Sequence, residues 1–322
     1  MTTVTLGMPA PRRAAAPSLA SRAVMLGAGA ALIWGLYLAM ARAGVVSGLA
    51  PSDIALLRYG IAGLIMLPWL LRHSPVSLSP VSVAGVPLWR ALVMTTLVGP
   101  PFVLIGVSGY HFAPLAHGAV MQPAALTLTG MGLAALVLMD RPTRERLLGV
   151  AVILSGIAVI AGPALLTGSS RTLIGDALFM SAGAMWAVFT ILMKRWSIDP
   201  IRSTAVVSVL SAVIYVPLYL AFIGIERLAA MAPATLLAQA LVQGVLSGVV
   251  AVICFNKAVQ LLGPGKAAIF PALVPAVATL VGIPVAGEWP TLWQWSGLAI
   301  VSLGLVIVIG WLRLPTGRRG RG

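Results

Sequence analysis

Two cationic residues interrupt long apolar stretches of this chain, and their positions suggest a site that binds or gates a small solute. Arg58 lies in LRYGIAGLIMLP (57–68), and Lys257 follows Asn256 in FNKAV (255–259). An ionisable group inside an apolar helix is a functional candidate, because its exposure to lipid is costly. Either side chain could instead extend along the helix to the membrane surface. We favour Lys257 over Arg58, and Asn256 and Lys257 enter the candidate substrate-binding set.

Aromatic residues occupy one helical face at two places in the chain. Trp34 and Tyr37 are three residues apart, so they share a face of an α-helix, and Trp186 and Phe189 repeat this spacing. Ordinary helix packing accounts for these pairs as well as a cavity wall does. We include all four in the substrate-binding set, as an aromatic wall that contacts an apolar or aromatic side chain.

The stretch TTLVGPPF (95–102) predicts a break near the middle of another apolar helix. Pro100 and Pro101 lack a backbone N–H, so the carbonyls of Thr96 and Leu97 lose their helical partners. Unsatisfied carbonyls in a membrane must face protein or a water-filled cavity, where they could hold a substrate ammonium. A packing kink is the alternative. The binding candidates in this stretch are Thr95 and Thr96, and the kink candidates are Gly99, Pro100 and Pro101.

Two further prolines, Pro123 and Pro271, mark predicted kinks at equivalent places in the two halves of the chain. Kinks can line a pathway or act as hinges, although a purely structural kink is the alternative. Gln122, beside Pro123, joins the substrate-binding set. Gln243 joins it too, because it lies in the stretch that corresponds to TTLVGPPF in the second half.

Composition places all these residues in a membrane. Hydrophobic residues make up 60% of the 322 residues and charged residues 9%, against about 25% charged in soluble proteins. No Asp, Glu, Lys or Arg occurs from Ala91 to Met139 or from Leu228 to Asn256, and roughly 20 helical residues cross a bilayer. The stretches are apolar all round, which predicts helices and not the alternating strands of a barrel.

Breaks at glycine, proline and charged clusters divide the chain into ten predicted helices, called spans 1 to 10 below. Their approximate bounds are 22–44, 53–72, 89–110, 114–139, 146–166, 173–195, 202–225, 234–262, 265–286 and 292–313. If the amino terminus is cytoplasmic, sixteen Lys and Arg residues fall on the cytoplasmic side. Only Arg42, Arg171 and Arg227 fall on the other side. Lys and Arg accumulate in cytoplasmic loops, so this bias predicts that both termini are cytoplasmic.

The net charge of +14 is therefore a topology signal. Residues 1–20 are predicted to form a disordered cytoplasmic tail, and residues 315–322 a basic cytoplasmic tail. A nucleic-acid partner is not expected, because no soluble module concentrates the basic residues.

The two halves of the chain repeat one another. Residues 139–156 align with 287–304 at an offset of 148, and residues 31–42 align with 183–194 at an offset of 152. We predict repeats at 21–167 and 168–314 with five spans each, and an odd number of spans inverts the second repeat. The predicted fold is an all-α membrane protein with ten transmembrane helices in two inverted-topology five-helix repeats. Such repeats are the architecture of alternating-access transporters, which bind their substrate near the middle of the membrane.

These features resemble the EamA repeat of the drug/metabolite transporter superfamily. The first half has Trp34 and Arg58 in its first two spans, and the second half carries Asn-x-Ala at 256–258, a proline within span 9 and Gly287-Glu288. The first half departs from the pattern, with Met139-Asp140 where Gly-Glu is usual. The resemblance covers about residues 22–313 and is greatest to the YddG-type amino-acid exporters. It implies a basket of spans 1–4 and 6–9 around a central cavity, with spans 5 and 10 outside.

We therefore predict a secondary transporter in the bacterial inner membrane that works by alternating access. It is expected to export amino acids, including neutral and aromatic ones, or similar small metabolites; multidrug or toxic-metabolite efflux is the alternative. Its expected partners are a small-molecule substrate and the lipid bilayer. The chain offers no catalytic constellation, so no enzyme activity, cofactor or metal is expected. Oligomeric state stays open, although Gly149, Gly156, Gly297 and Gly304 on spans 5 and 10 would allow close helix packing.

The acidic residues predict weak coupling or none. All seven are expected in loops or at helix ends: Asp53, Asp140, Glu145, Asp176, Asp199, Glu226 and Glu288. Proton- or sodium-coupled transporters commonly bury a carboxylate near the middle of the membrane. We expect none here, which leaves His111 and His117, near the outer ends of spans 3 and 4, as coupling candidates.

Overall fold

A computed structural model describes residues 19–73, 82–137, 139, 142–167 and 169–310. The predicted tail at 315–322, nearly all of the tail at 1–20, and Asp140 lie outside the described residues. The described chain is almost entirely helical. Its ten main helices keep the names given to the predicted spans.

The spans run as follows: 1, Leu19–Val46; 2, Pro51–His73; 3, Leu88–His111; 4, Leu115–Val137; 5, Arg144–Leu166; 6, Ser170–Arg195; 7, Pro200–Phe222; 8, Pro233–Leu262; 9, Ile269–Ala286; and 10, Leu292–Val308. Among the described residues, nine of them are at least 18 residues long and apolar enough to cross a membrane, and span 10 has 17 described residues.

Two spans are irregular. Span 3 consists of helices Leu88–Val98 and Pro100–Ser108 and a 3₁₀ turn, Gly109–His111. Span 8 consists of Pro233–Gln239, a π-helix at Ala240–Val250, and Ala251–Leu262.

Short elements join some of the spans. Helix Glu226–Ala229 precedes span 8, and helix Pro264–Ala267 precedes span 9. Strands Ser82–Val83 and Val86–Pro87 form a small antiparallel hairpin between spans 2 and 3. Helix Pro264–Ala267 falls almost entirely within the predicted bounds of span 9, whereas the other three elements were not expected from the sequence.

Local sequence signals account for several helix starts. Thr291 caps span 10, where its side chain accepts from the Gln294 N–H and the Gln294 side chain accepts from the Thr291 N–H. Asp199 caps span 7 in the same position, with Pro200 as the first helical residue. These caps satisfy N–H groups that a helix start otherwise leaves unpaired.

Eight spans form a ring in the order 1, 9, 4, 6, 3, 7, 2 and 8, and each packs on its two neighbours. Spans 5 and 10 pack on each other outside the ring, against spans 4 and 9. This arrangement agrees with the basket that the resemblance implies. We call the end where span 1 begins and span 10 ends the near end, and the opposite end the far end.

Spans 5 and 10 meet at a two-fold axis. Gly149 packs on Val308 and Gly304, and Gly156 packs on Val301 and Gly297. At the offset of 148 these two contacts exchange with each other, which is the relation that an inverted repeat requires. The four glycines suggested from the sequence for close packing are therefore used within the chain.

The same symmetry relates the packing of span 1 on span 9 to that of span 6 on span 4. Gly27 lies against Phe270, and Gly118 lies against Phe179. An offset of 152 converts the first pair into the second with glycine and phenylalanine exchanged. Spans 4 and 9 therefore correspond at 152, and not at the 148 that relates spans 5 and 10.

Candidate functional site

A polar cluster lies among spans 1, 2 and 8, and we call it the Arg58 cluster. Arg58 is 8% exposed, and its Nη1 donates to Ser247 Oγ at 2.8 Å. The guanidinium carbon lies 4.7 Å from the centre of the Tyr37 ring and 5.6 Å from that of Tyr59. A buried cation is thus held by a hydroxyl and two aromatic faces. The cluster comprises Tyr37, Arg58, Tyr59, Gln239, Gln243 and Ser247.

Two buried glutamines tie span 8 to span 1 in this cluster. Gln239 Nε2 donates to the Met40 carbonyl at 2.6 Å. Gln243 Nε2 donates to the Tyr37 carbonyl and to Gln239 Oε1, each at 3.3 Å. Arg58 Nε and Gln243 Oε1 are both buried without a hydrogen-bond partner. The cluster therefore holds one unused donor and one unused acceptor.

The backbone of span 8 brings this cluster together. A Cβ at Gly244 would lie 2.9 Å from the Leu57 carbonyl oxygen, and one at Gly248 would lie 3.0 Å from the Ala62 Cβ. The missing side chains let span 8 approach span 2 closely enough for Ser247 to reach Arg58. Both glycines lie in the π-helical segment, a rare geometry that often marks functional sites.

The predicted aromatic wall appears as two related pairs. Trp34 of span 1 packs on Phe255 of span 8, and Trp186 of span 6 packs on Phe102 of span 3, each with 5.3 Å between ring centres. The two tryptophans are equivalent at the offset of 152, so both halves place a tryptophan against a phenylalanine. Phe189 lies 6.3 Å from Trp186 and is buried. Whether these rings contact substrate stays a prediction.

Span 3 is interrupted at Gly99. The Gly99 N–H still reaches the Thr95 carbonyl, and Pro100 starts the next helix. The Tyr59 hydroxyl donates to the Val98 carbonyl, so one carbonyl at the break is bound by a member of the Arg58 cluster. The two threonines before the break, Thr95 and Thr96, differ in burial and in hydrogen bonding. Thr95 Oγ1 is buried without a partner, whereas Thr96 is exposed and bonds to the Leu92 carbonyl.

Pro271 lies just after the break at Ala268 that separates helix Pro264–Ala267 from span 9, in the first turn of that span. Its role as a kink stays a prediction. The interior proline equivalent to Pro123 is Pro275. A threonine one turn later donates to the proline carbonyl in both spans, Thr127 at 2.9 Å and Thr279 at 2.9 Å.

Gln122 lies where span 4 packs on span 6. A Cβ at Gly183 would lie 2.2 Å from the Gln122 carbonyl oxygen, so the two helices are in backbone contact there. The Gln122 side chain is half-buried. Its role in binding stays a prediction.

The preference for Lys257 over Arg58 is not supported by their surroundings. Lys257 is exposed, and its Nζ lies 3.3 Å from Gln260 Oε1 on the same helix. Asn256 is half-buried beside it. Of the predicted binding residues, the structure brings Tyr37 and Gln243 together with Arg58. The sequence identifies Arg58 as a cation in an apolar helix, but it does not give the rotation of span 2 that buries it.

A second set of polar contacts ties spans together at the far end. Arg42, at the end of span 1, bonds to the Glu288 carboxylate and to the Tyr110 carbonyl. The other oxygen of Glu288 accepts from the Leu115 N–H at 2.8 Å, at the start of span 4. One ion pair thus connects span 1, the 3–4 turn and the 9–10 loop.

Two carboxylates are buried near the far ends of their spans. Asp176 is 5% exposed, six residues after the start of span 6, and its Oδ1 lies 2.8 Å from His117 Nδ1 of span 4. Asp53, at the start of span 2, is fully buried and accepts from the Tyr219 hydroxyl at 2.7 Å. Both lie within the first two turns of their spans, as the sequence predicts, so weak coupling or none stays a prediction.

One sequence signal pointed to these far-end contacts. The only three cations assigned to the outer side were Arg42, Arg171 and Arg227. Arg42 binds Glu288, Arg171 donates to the His111 carbonyl at 3.2 Å, and Arg227 lies 3.3 Å from Asp53. The three cations that depart from the cytoplasmic bias of Lys and Arg therefore each contact another segment of the chain at the far end.

Comparison with known proteins identifies the family. Residues 21–162 and 173–310 each match the EamA-like transporter family. The chain belongs to the EamA-like transporter family. Both five-span halves of this EamA-like transporter therefore carry the family pattern.

Two further similarities agree with this membership. An uncharacterized transporter of Bacillus subtilis (strain 168), YyaM, is 23% identical over 284 residues, which covers 83% of this chain and 87% of that protein. A solved crystal structure superposes with a TM-score of 0.59 at 17% identity, and covers 88% of this EamA-like transporter and 95% of that chain. The second similarity concerns the fold alone.

Proposed function

We propose that this EamA-like transporter exports amino acids, including neutral and aromatic ones, or similar small metabolites by alternating access. It acts in the bacterial inner membrane with both chain ends in the cytoplasm. The near end then faces the cytoplasm and the far end faces outward. Substrate enters from the near end and leaves when the far end opens.

The observation that carries this proposal is the difference between Arg42 and its equivalent in the second half. At the far end, Arg42 is bound to Glu288 and to the Tyr110 carbonyl. Its equivalent at the offset of 152, Lys194, is exposed at the near end, where the residue equivalent to Glu288, Asp140, lies outside the described residues. A bound Arg42 and an exposed Lys194 fit the unlike states that the two ends of an inverted-repeat transporter adopt at one stage of its cycle. Exchange of those states between the ends moves a solute across.

Side chains on the ring suit an amphipathic solute. The pairs Trp34–Phe255 and Trp186–Phe102 offer aromatic surface on opposite halves of the ring. The Arg58 cluster offers polar groups on spans 1, 2 and 8. A small molecule with a charged end and an apolar end, such as a neutral or aromatic amino acid, matches both.

Counterflow in liposomes tests this function. The purified protein is reconstituted in vesicles loaded with an unlabelled amino acid, and uptake of the labelled compound is followed for threonine, methionine and phenylalanine. We expect transient accumulation of at least one of them above that in protein-free vesicles. Vesicles that accumulate none of the three, but release a loaded dye or drug only when the protein is present, would overturn amino-acid export in favour of drug efflux.

A further inference from the structure

Arg58 carries a positive charge that the described part of the chain does not balance. The arginine side chain is a cation in proteins. None of the ion pairs among the described residues includes Arg58, and the carboxylates of Glu288, Asp176 and Asp53 have other partners. These partners are Arg42 for Glu288, His117 for Asp176, and Tyr219 and Arg227 for Asp53.

The neighbours of Arg58 compensate its charge only in part. The Tyr37 and Tyr59 rings and the Ser247 hydroxyl are neutral groups. Cation–π and neutral hydrogen-bond contacts are weaker than a hydrogen-bonded pair with a carboxylate. An unpaired charge inside a membrane protein is therefore expected to serve an anionic ligand.

The unused polar atoms of the cluster specify the ligand further. Arg58 Nε is a buried donor without a partner, and Gln243 Oε1 is a buried acceptor without a partner. Gln243 is fully buried, and its amide nitrogen faces two oxygens, the Tyr37 carbonyl and Gln239 Oε1. Those two acceptors fix the amide orientation, because rotation would place oxygen against oxygen. Gln243 Oε1 is therefore the acceptor that its neighbours leave free.

Arg58 and Gln243 lie beside the same turn of span 8. Arg58 is bonded to Ser247, which is four residues from Gln243 on span 8, so about one helical turn separates their attachment points. Both also contact Tyr37, Arg58 through the ring and Gln243 through the carbonyl. The carboxylate and ammonium of an α-amino acid are attached to the same carbon, so one such molecule presents both charges to a single turn of span 8.

We propose that the Arg58 cluster binds the charged backbone of a zwitterionic amino acid. The substrate carboxylate accepts hydrogen bonds from the Arg58 guanidinium, and the substrate ammonium donates to Gln243 Oε1. Trp34, three residues before Tyr37 on the same face of span 1, is the nearest aromatic surface on span 1 for the substrate side chain. This inference rests on the proposed function and names the subsite that recognises its substrate.

Competition in the counterflow assay tests the subsite. Uptake of a labelled amino acid is measured against the unlabelled acid, its methyl ester and its N-acetyl derivative. The wild type should be inhibited best by the free acid, because each derivative removes one of the two charges. Arg58→Gln should bring the acid and the ester to similar inhibition, a loss of about tenfold or more in discrimination. Gln243→Leu should reduce the preference over the N-acetyl derivative instead.

Arg195→Gln is the matched control, because Arg195 is an exposed arginine at the end of span 6. It should keep the wild-type order of inhibitors. If Arg58→Gln does not yield monodisperse protein, Arg58→Lys provides the test. This variant keeps the positive charge but lacks the planar guanidinium group. It should therefore bind the free acid about tenfold more weakly and still prefer the acid to the ester.

The possible failures are distinguishable. If the wild type takes up amino acids and Arg58→Gln retains the preference for the acid over the ester, the subsite is wrong and amino-acid export stands. Unchanged affinity of Arg58→Lys for the acid has the same meaning. If the wild type takes up no amino acid, the proposed function falls and the subsite falls with it.

Discussion

At the scale of single residues, His117 and Asp176 show how a carboxylate is kept inside this bundle. Each side chain is 7% exposed, and they bond across spans 4 and 6 at 2.8 Å. Removal of one partner leaves the other polar group buried without compensation. The pair therefore joins the two helices only while both members are present.

His117→Ala should lower the free energy of unfolding by about 3 kcal/mol, because it leaves Asp176 buried without a partner. Thermal unfolding in detergent measures this as a fall in Tm. His111→Ala is the control, since His111 is exposed and contributes its backbone carbonyl to Arg171. The double variant His117→Leu with Asp176→Leu should recover much of the loss. A single variant as stable as the wild type would contradict the account.

The sequence identifies which residue types are unusual in an apolar helix, but it does not give the burial of their side chains. Arg58 and Lys257 both stood out as cations in apolar helices, yet only Arg58 is buried. The difference depends on how spans 2 and 8 are rotated about their axes. All-round apolar sequences do not encode that rotation in their periodicity.

At the scale of elements, close packing through glycine fixes the helix pairs. Gly156 of span 5 is in contact with the backbone of span 10, where a Cβ would lie 2.9 Å from the Val301 nitrogen. Gly162, also in span 5, has nothing within 4 Å of its Cβ position. The same substitution should therefore have opposite effects at two positions of one helix.

Gly156→Ala should lower Tm, because the added methyl group pushes spans 5 and 10 apart. Gly162→Ala should leave Tm unchanged or raise it slightly, since alanine is favoured over glycine in a helix by about 0.5–1 kcal/mol. Thermal unfolding of both variants under one condition makes the comparison. Equal effects at the two positions would show that spans 5 and 10 do not pack as described.

Gly244→Ala tests the link between packing and the Arg58 cluster. Its Cβ would lie 2.6 Å from Ile61, so span 8 must move away from span 2 and Ser247 must move away from Arg58. The concentration of amino acid needed for half-maximal counterflow should rise severalfold. Gly60→Ala is the control, because its nearest contact is an ordinary 3.7 Å to Val216. If Gly244→Ala leaves this concentration unchanged, the Arg58 cluster does not take part in transport.

The order of the ten spans was predictable from the sequence, but the alignment of span 4 with its repeat partner, span 9, was not. The offset is 152 for spans 1 and 4 with their partners, and 148 for span 5. Pro271 and Pro275 are four residues apart, which equals that difference, so Pro123 could be matched to either one. Contacts between Gly27 and Phe270 and between Gly118 and Phe179 resolve the choice.

At the scale of the whole molecule, charge and helix count carry the topology. The ten spans put both ends of the described chain at one end of the bundle, and the Lys and Arg bias predicts that this end is cytoplasmic. The order of the eight-helix ring did not follow from sequence, because it depends on contacts between distant spans such as 2 and 7.

Tags on the two chain ends test this topology. In intact bacteria, epitope tags at either end should both resist an impermeant protease or antibody, and both should become accessible after the inner membrane is opened. If the two tags lie on opposite sides of the membrane, the two halves are not inverted relative to each other.

Crosslinking of the far end tests alternating access most directly. Arg42→Cys and Glu288→Cys, in a background with Cys254→Ala, are joined by a short bifunctional thiol reagent that a reductant cleaves, in place of the ion pair that closes this end. We predict that the crosslink abolishes amino-acid counterflow and that reduction restores it, while either single-cysteine variant is unaffected by the reagent. Undiminished counterflow with the far end crosslinked would contradict the account.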